Sequence, residues 1–133
     1  SKLLSSQLLS ASSRGLDLSV GTMVVGWDEA DGSGIWYVDN TGRRQSGKIF
    51  SVGSGSTYAL GVLDESLRLT RQGGEEIPLL TLEEAVNIGK KAIKAATYRD
   101  GYSGGFINCY YVGKDGWKKM FSGDLHSGEQ QKQ

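Results

Sequence analysis

Apolar residues recur at helical spacing near the start of the chain and in strand-like runs soon afterwards. Leucines at helical spacing over residues 2–14, followed by Gly15, predict a first helix with a natural stop. Three runs rich in valine and aromatic residues follow, separated by Gly-, Asn- and Asp-rich turns, and predict an antiparallel meander. Both faces of this meander are fairly apolar, which predicts that both are covered. The predicted strands are residues 19–27, 35–38 and 48–52.

Two helices are predicted in the second half of the chain. The first opens at residues 53–57 and runs to about Asp64. The second begins at Thr81, because Thr81 and Glu84 have the spacing of a capping box. The side chains predicted to turn inward from the first helix are Tyr58, Val62 and Leu63. The apolar stripe predicted for the second consists of Leu82, Ala85, Val86, Gly89, Ile93 and Ala96, with Gly89 at a close helix approach.

A hairpin is predicted to complete the fold. Residues 106–112 indicate a strand buried on both faces, and residues 114–117 a turn into a last short strand. Residues 123–133 are polar and predict a frayed tail, while residues 71–78 form an unusually long loop. The order of elements predicts one α/β (α+β) domain over residues 1–133, with largely antiparallel strands.

Composition narrows the classes of partner. The 133 residues contain 15 basic and 15 acidic side chains, so no overall field gathers nucleic acid or an anionic membrane surface. No apolar run reaches membrane-spanning length, and no charged-then-apolar leader opens the chain. A single cysteine, Cys109, excludes an internal disulfide and is expected to be a buried thiol. We therefore expect no nucleic-acid or membrane partner.

The segment GYSGG at residues 101–105 matches the G-x-S-x-G pattern of serine hydrolases. In that pattern a strand leads into the serine and a helix leaves it. Here a predicted helix precedes Ser103 and a strand follows. The only histidine, His126, lies in the polar tail, which is a poor place for a preorganised base. The sequence therefore indicates that Ser103 is not a hydrolase nucleophile.

Two other features allow more than one interpretation. The segment VGSGST at residues 52–57 follows a predicted strand and opens a helix, where phosphates often bind. It lacks the lysine of a P-loop and the third glycine of a dinucleotide loop, so a tight turn is favoured over anion binding. Either Arg99 and Asp100 form a surface pair or a C-terminal polar cap, or Asp100 and the Ser103 hydroxyl form a polar cluster that orients another group. Composition and spacing leave both alternatives open.

Several ordered motifs resemble those of proteasome beta subunits. They are SKLL at the start, GLDLSVGTMVVGWD at 15–28, YVDNTGRRQSGKIFSVGSGSTYALGVLD at 37–64 and ATYRDGYSGGFINCYYVGKDGW at 96–117. Within that family, the RDGYSGG loop, the following N-x-Y-x-V strand and DGW resemble the type-five group, which has chymotrypsin-like activity. The resemblance covers most of the chain outside residues 65–80 and the tail.

This resemblance implies a fold and an activity. The fold is the four-layer αββα sandwich of N-terminal nucleophile hydrolases, with two antiparallel sheets between helices. The activity is a threonine endopeptidase that cleaves unfolded polypeptides after hydrophobic residues. The implied partners are proteasome alpha and beta subunits in stacked seven-membered rings, in the cytoplasm and nucleus. The alternative is a noncatalytic structural beta subunit of the same fold.

The resemblance also assigns roles to individual residues. Ser54 matches the family serine that hydrogen-bonds around the terminal amine of the nucleophile. Asp100 and Ser103 match the aspartate and serine that hold the nucleophilic threonine. No cofactor is required, but the carbonyl oxygens of Thr97, Asp100 and Ser103 are expected to face a shared ion such as magnesium. A water or a capping N–H in its place is the alternative.

The chain departs from the family pattern in two places. The family's threonine, its catalytic lysine and its opening strands lie upstream of the matched segment. Ser1 aligns with a helix and is not assigned as a nucleophile. We expect either the C-terminal portion of a longer polypeptide or a product without the catalytic opening. Residues 69–80 resemble an insertion, expected to be a solvated excursion.

Overall fold

The structure, a computed structural model, describes residues 1–16, 18–70 and 79–124. Within these ranges the chain is mixed α/β, with one three-stranded sheet in the order β1-β2-β3 and one two-stranded sheet, β4-β5. The strands of the meander run antiparallel, as predicted. The helices are α1 (Lys2–Ser13), α2 (Ser56–Thr70) and α3 (Leu82–Arg99). The strands are β1 (Gly21–Asp28), β2 (Gly32–Asp39), β3 (Arg44–Gly47), β4 (Phe106–Gly113) and β5 (Gly116–Asp124).

The chain divides into two compact units. One comprises Ser1–Gly53 and Val112–Trp117, and the other comprises Ser54–Tyr111 and the chain from Lys118 onward. The assignment of residues 1–133 to a single domain stays a prediction. None of the helices in the described ranges is both long and apolar enough to cross a bilayer.

In the first unit, the turn between β1 and β2 forms where the sequence predicts it. The Asp28 carboxylate accepts the backbone N–H groups of Ala30 and Asp31 at 2.9 and 2.7 Å. Gly32 follows with φ of +71°, a conformation that favours glycine. The turn therefore fixes the pairing register, which runs from Asp28 opposite Gly32 to Gly21 opposite Asp39.

The predicted third strand over residues 48–52 is wrong, because pairing resumes earlier. The Asp39 carboxylate accepts the N–H groups of Thr41 and Arg43 at 2.9 and 3.0 Å, which closes a tight turn. Arg44 is thereby placed opposite Val38, and β3 forms from polar residues directly after the turn. Phe50, from the apolar run, instead stacks on Tyr37 with 6.1 Å between ring centroids.

The described residues leave part of one face of the meander exposed, so the expected coverage of both faces stays a prediction. Met23 and Val25 of β1 remain 44% and 49% exposed. The main contacts of α1 are with β2, where Val38 is fully buried. Helix α1 itself forms as predicted and buries Leu8.

The second unit is built on the packing of α2 against α3. Three buried alanines, Ala59, Ala92 and Ala96, form its core, with Val62 and Leu63 packed against them. The capping box of α3 is confirmed: the Thr81 hydroxyl accepts the Glu84 N–H, and the Glu84 carboxylate accepts the Thr81 N–H at 2.8 Å. Helix α2 extends beyond the predicted end at Asp64.

Large residues predicted to face this core are exposed. Tyr58 of α2 and Leu82 and Ile93 of α3 are 45%, 42% and 45% exposed, and a Cβ at Gly89 would meet no atom within 4 Å. The close approach occurs instead along Ala92 and Ala96, which are four residues apart and lie on the same side of α3. Ala96 is thus buried as the stripe predicts, but the contact face includes Ala92 and excludes Leu82 and Ile93.

The β4-β5 hairpin is confirmed, but β4 is not buried on both faces. Ile107 is buried, whereas Phe106 is 66% exposed. Cys109 is only partly buried, and this burial raises the pKa of its thiol. Strand β5 extends through Asp124, so the first two residues of the predicted tail are strand; the rest of the tail lies outside the described residues, as does the loop at 71–78.

Candidate functional site

Two loops of the second unit bring together Ser54, Asp100 and Ser103. Ser54 lies just before α2, and Asp100 and Ser103 lie just after α3. The Ser54 hydroxyl donates to Oδ2 of Asp100 at 2.6 Å, across 46 positions in the sequence. The Ser103 hydroxyl donates to the same oxygen, also at 2.6 Å. The expected convergence of these three side chains is therefore present in the structure.

The backbone around Asp100 explains how one carboxylate holds both loops. Asp100 ends α3: its N–H donates to the Ala96 carbonyl at 2.8 Å, and its own backbone is extended. Its carbonyl accepts the Ser103 N–H at 3.2 Å, and Oδ1 accepts the Tyr102 N–H at 3.3 Å. Oδ1 thus fixes the shape of its own loop, while Oδ2 is left to receive the two hydroxyls.

The same hydrogen bonds keep Asp100 ionised. The Ser103 hydroxyl, followed by the Ser54 hydroxyl, holds the pKa of Asp100 below its ordinary value. Because the folded-state pKa is the lower one, the ionised carboxylate stabilises the fold above the unfolded-state pKa. That contribution is lost as the pH falls through the folded-state pKa.

This arrangement is suited to holding a cation rather than to attack by a serine. Each hydroxyl directs its proton to Asp100 and keeps its oxygen lone pairs free to accept another hydrogen bond. The cluster therefore offers a carboxylate and two hydroxyl oxygens to a donor such as an amine. A carboxylate with a lowered pKa is a weak base, so it does not activate Ser103 as a nucleophile.

The order of elements around Ser103 differs from that around a serine-hydrolase nucleophile. Helix α3 precedes Ser103 and strand β4 follows it, which is the reverse of a nucleophile elbow. His126 lies outside the described residues. Ser1 is the N-cap of α1, and its hydroxyl accepts a hydrogen bond from Arg44 at 3.3 Å, so it lies at a helix start as expected.

The structure bears on the two features for which the sequence left alternatives open, the segment at residues 52–57 and the pair Arg99 and Asp100. The segment before VGSGST is not a strand, so the strand–loop–helix context of a phosphate site is missing. The Asp100 carboxylate already lies beside Gly55 at the start of α2, where it satisfies the preference of a helix N-terminus for negative charge. Asp100 belongs to a polar cluster with two serines, and the Arg99 side chain is exposed. Both observations favour a structured polar site over anion binding.

The expected ion site can be compared with the backbone of this loop. In the described residues there is no cluster of three or more His, Cys, Asp or Glu that would hold a metal ion. The ligands expected from the sequence are carbonyl oxygens. The Asp100 carbonyl accepts the Ser103 N–H with one lone pair, which leaves a second for a cation. The hydrogen bond between the Ser103 N–H and the Asp100 carbonyl does not involve the carbonyl of Thr97 or that of Ser103.

Sequence reasoning did not single out Gly55 or the Tyr102 N–H as parts of this site. Gly55 is buried and directly follows Ser54, so the Gly-Ser-Gly spacing at a helix start was the available signal. The Tyr102 N–H carries no signal in the sequence, because any non-proline residue supplies the same donor.

Comparison with known proteins identifies the family. The model of the family described as Proteasome subunit matches residues 2–112. Proteasome subunit beta type-8 of Canis lupus familiaris is 48% identical over 126 residues, which are 95% of this chain and 41% of that protein. Proteasome subunit beta type-5 of Spinacia oleracea is 52% identical over 116 residues (85% and 39%), and that of Dictyostelium discoideum is 50% identical over 111 residues (84% and 37%). The chain thus spans about two fifths of the length of the curated relatives it matches.

Proposed function

The chain belongs to the proteasome subunit family, and on that premise we propose that it is part of a catalytic beta subunit of the proteasome core particle. The proposed activity is that of a threonine endopeptidase that cleaves unfolded polypeptides after hydrophobic residues. The observation that carries this proposal is the convergence of two serine hydroxyls on one Asp100 oxygen. The names of the similar proteins, beta type-5 and beta type-8, are consistent with it.

In this mechanism the residues of the chain hold the nucleophile rather than attack the substrate. An N-terminal threonine, from the segment that the family carries upstream, supplies the attacking hydroxyl and an amine that moves the proton. The charge of Asp100 and the free lone pairs of Ser54 and Ser103 are suited to receive the N–H groups of that amine. An amine held in one orientation keeps its proton-transfer geometry, which is the main requirement for a general base.

The remaining parts of the proposal concern the assembly. We propose the four-layer αββα sandwich for the complete subunit, with the observed antiparallel sheets forming part of its two inner layers. Its partners are other alpha and beta subunits in stacked seven-membered rings, and its location is the cytoplasm and nucleus. Polypeptides are its substrates; nucleic acids and membranes are not its partners, in keeping with a net charge of zero.

A structural magnesium ion at the RDGYSGG loop is a further part of the proposal. The carbonyl oxygens of Thr97, Asp100 and Ser103 would supply hard oxygen ligands, completed by waters or a neighbouring subunit. The ion would stabilise the loop that carries Asp100 and would take no part in bond cleavage. Octahedral density with oxygens at about 2.1 Å in the assembled particle would establish it. Carbonyls directed toward solvent, with no such density, would exclude it.

The proposed activity is tested by the native polypeptide itself. We expect its intact mass in the purified particle to be well above the 14.3 kDa of these residues, with threonine at its N-terminus. A hydrophobic peptide that carries an electrophilic carbonyl should add its mass to this polypeptide. A mature polypeptide without an N-terminal threonine, unlabelled by the peptide, would instead indicate a noncatalytic structural subunit.

A further inference from the structure

Gly55 is buried where the start of α2 meets the end of α3. A Cβ at this position would lie 2.9 Å from the Cβ of Ala96, 2.9 Å from the Ser103 hydroxyl oxygen and 3.1 Å from Oδ2 of Asp100. A Cβ atom is essentially never found within 3.0 Å of such a neighbour, so at least the Ala96 Cβ and the Ser103 hydroxyl would have to move. The position therefore has no room for a side chain.

The need for glycine here is spatial rather than conformational. Several glycines of the chain have positive φ, including Gly53, which precedes Ser54 in the sequence, and Gly105, which follows Ser103. Gly55 does not. An alanine could therefore adopt the same backbone without strain. Its only cost would be the displacement of the atoms around its methyl group.

Those atoms are not free to move independently of the site. The Ala96 Cβ has no rotatable bond and moves only with the backbone of α3, whose next turn carries Asp100. The Ser103 hydroxyl can rotate away only by giving up its 2.6 Å hydrogen bond to Asp100. The first response moves Asp100 relative to Ser54, and the second breaks one of the two hydrogen bonds that Asp100 accepts from the serines.

We infer that Gly55 is a positioning residue of the proposed active site: its missing side chain sets the separation at which Ser54 and Ser103 both reach Asp100. This inference rests on the proposed function, because it concerns the geometry with which the cluster holds the nucleophile. It adds a residue that touches neither the substrate nor the reacting atoms. Ala96 of α3 acts with it, because its Cβ is one of the atoms that a side chain at position 55 would meet.

Gly55→Ala in the full-length polypeptide, assembled into the core particle, tests the inference. We expect kcat for a hydrophobic peptide substrate to fall about tenfold or more, the effect of losing one hydrogen bond to a charged group, with KM changed much less. The matched control is Gly61→Ala, within α2, where a Cβ would meet no atom within 4 Å. The control should keep the parent kcat, and electron cryomicroscopy of the Gly55→Ala particle should show at least one serine–Asp100 hydrogen bond broken.

A second variant separates positioning from a general loss of packing. In Gly55→Ala/Ala96→Gly the methyl group opposite position 55 is removed. We therefore expect α3 to return to its position in the parent protein and kcat to recover in part. A double variant that is less active than Gly55→Ala would overturn the inference, as would Gly55→Ala with both hydrogen bonds intact. Broken hydrogen bonds with an unchanged kcat would instead overturn the proposed role of the cluster in catalysis. Electron cryomicroscopy distinguishes this outcome from a failure of the Gly55 inference, in which the hydrogen bonds stay intact.

Discussion

Asp100→Asn is expected to lower kcat of the assembled particle toward chymotrypsin-type peptide substrates by about 100-fold or more, in line with other carboxylates that orient a catalytic base. The amide keeps the size of the side chain but removes its negative charge. Its oxygen can still accept a serine proton, whereas an amide N–H directed at Ser54 or Ser103 would compete with the amine for the lone pairs of the hydroxyl. The nucleophile would then lose both the charge and the orientation that the cluster provides.

The measurement compares steady-state kinetics of parent and variant particles at equal subunit content. Asp64→Asn is the matched control, because it makes the same charge change on an exposed position of α2. Activity should change far more than thermal stability in Asp100→Asn, since the amide oxygen can still accept a serine hydroxyl proton and the side chain is solvent-accessible. Equal kcat in parent and Asp100→Asn would contradict the proposed function.

Local signals in the sequence were sufficient where one short segment decides the structure. The capping box at Thr81 and Glu84 and the β1–β2 turn at Asp28 formed as predicted. The third strand failed because the Asp39 turn, rather than the apolar run after it, sets where pairing resumes. Turn geometry therefore overrode hydrophobic content, since a tight turn leaves the residues directly after it opposite the preceding strand.

Side-chain burial was less predictable than the elements themselves. Of the predicted stripe of α3, Ala96 is buried as predicted, whereas Leu82 and Ile93 are exposed and the helix packs through Ala92 as well. Periodicity shows which residues share a face, but the choice between adjacent faces depends on the shape of the partner helix. In the described chain that partner presents Ala59, so small residues meet small residues.

The candidate site followed from two kinds of information. Loops at strand–helix and helix–strand junctions tend to collect at one end of a layered fold, and the resemblance supplied the roles of Ser54, Asp100 and Ser103. Neither source predicts that both hydroxyls share one oxygen, because that depends on distances between loops 46 residues apart. The same limit applies to Gly55, whose contacts exist only after α2 and α3 have packed.

Removal of both hydroxyls, in Ser54→Ala/Ser103→Ala, is expected to lower kcat as far as Asp100→Asn does. Each single variant loses one hydrogen bond to a charged group, worth about 1.5–3 kcal/mol or roughly 10- to 100-fold in rate if fully expressed. The two effects should not multiply, because both hydroxyls act through the same Oδ2 atom. Adding Asp100→Asn to the double variant should then cause little further loss.

The pH dependence of the double variant gives an independent check. The hydroxyls of Ser103 and Ser54 are the main reasons that the pKa of Asp100 is lowered, so their removal should raise it toward the ordinary value. An ionised Asp100 is the form that holds an amine, and activity is therefore lost as the pH falls through this pKa. The acid limb of kcat/KM should move to higher pH in Ser54→Ala/Ser103→Ala, whereas Ser12→Ala, which removes an exposed hydroxyl of α1, should leave it in place. An acid limb at the parent position, together with parent-like kcat, would show that the two serines do not support Asp100 in the reaction.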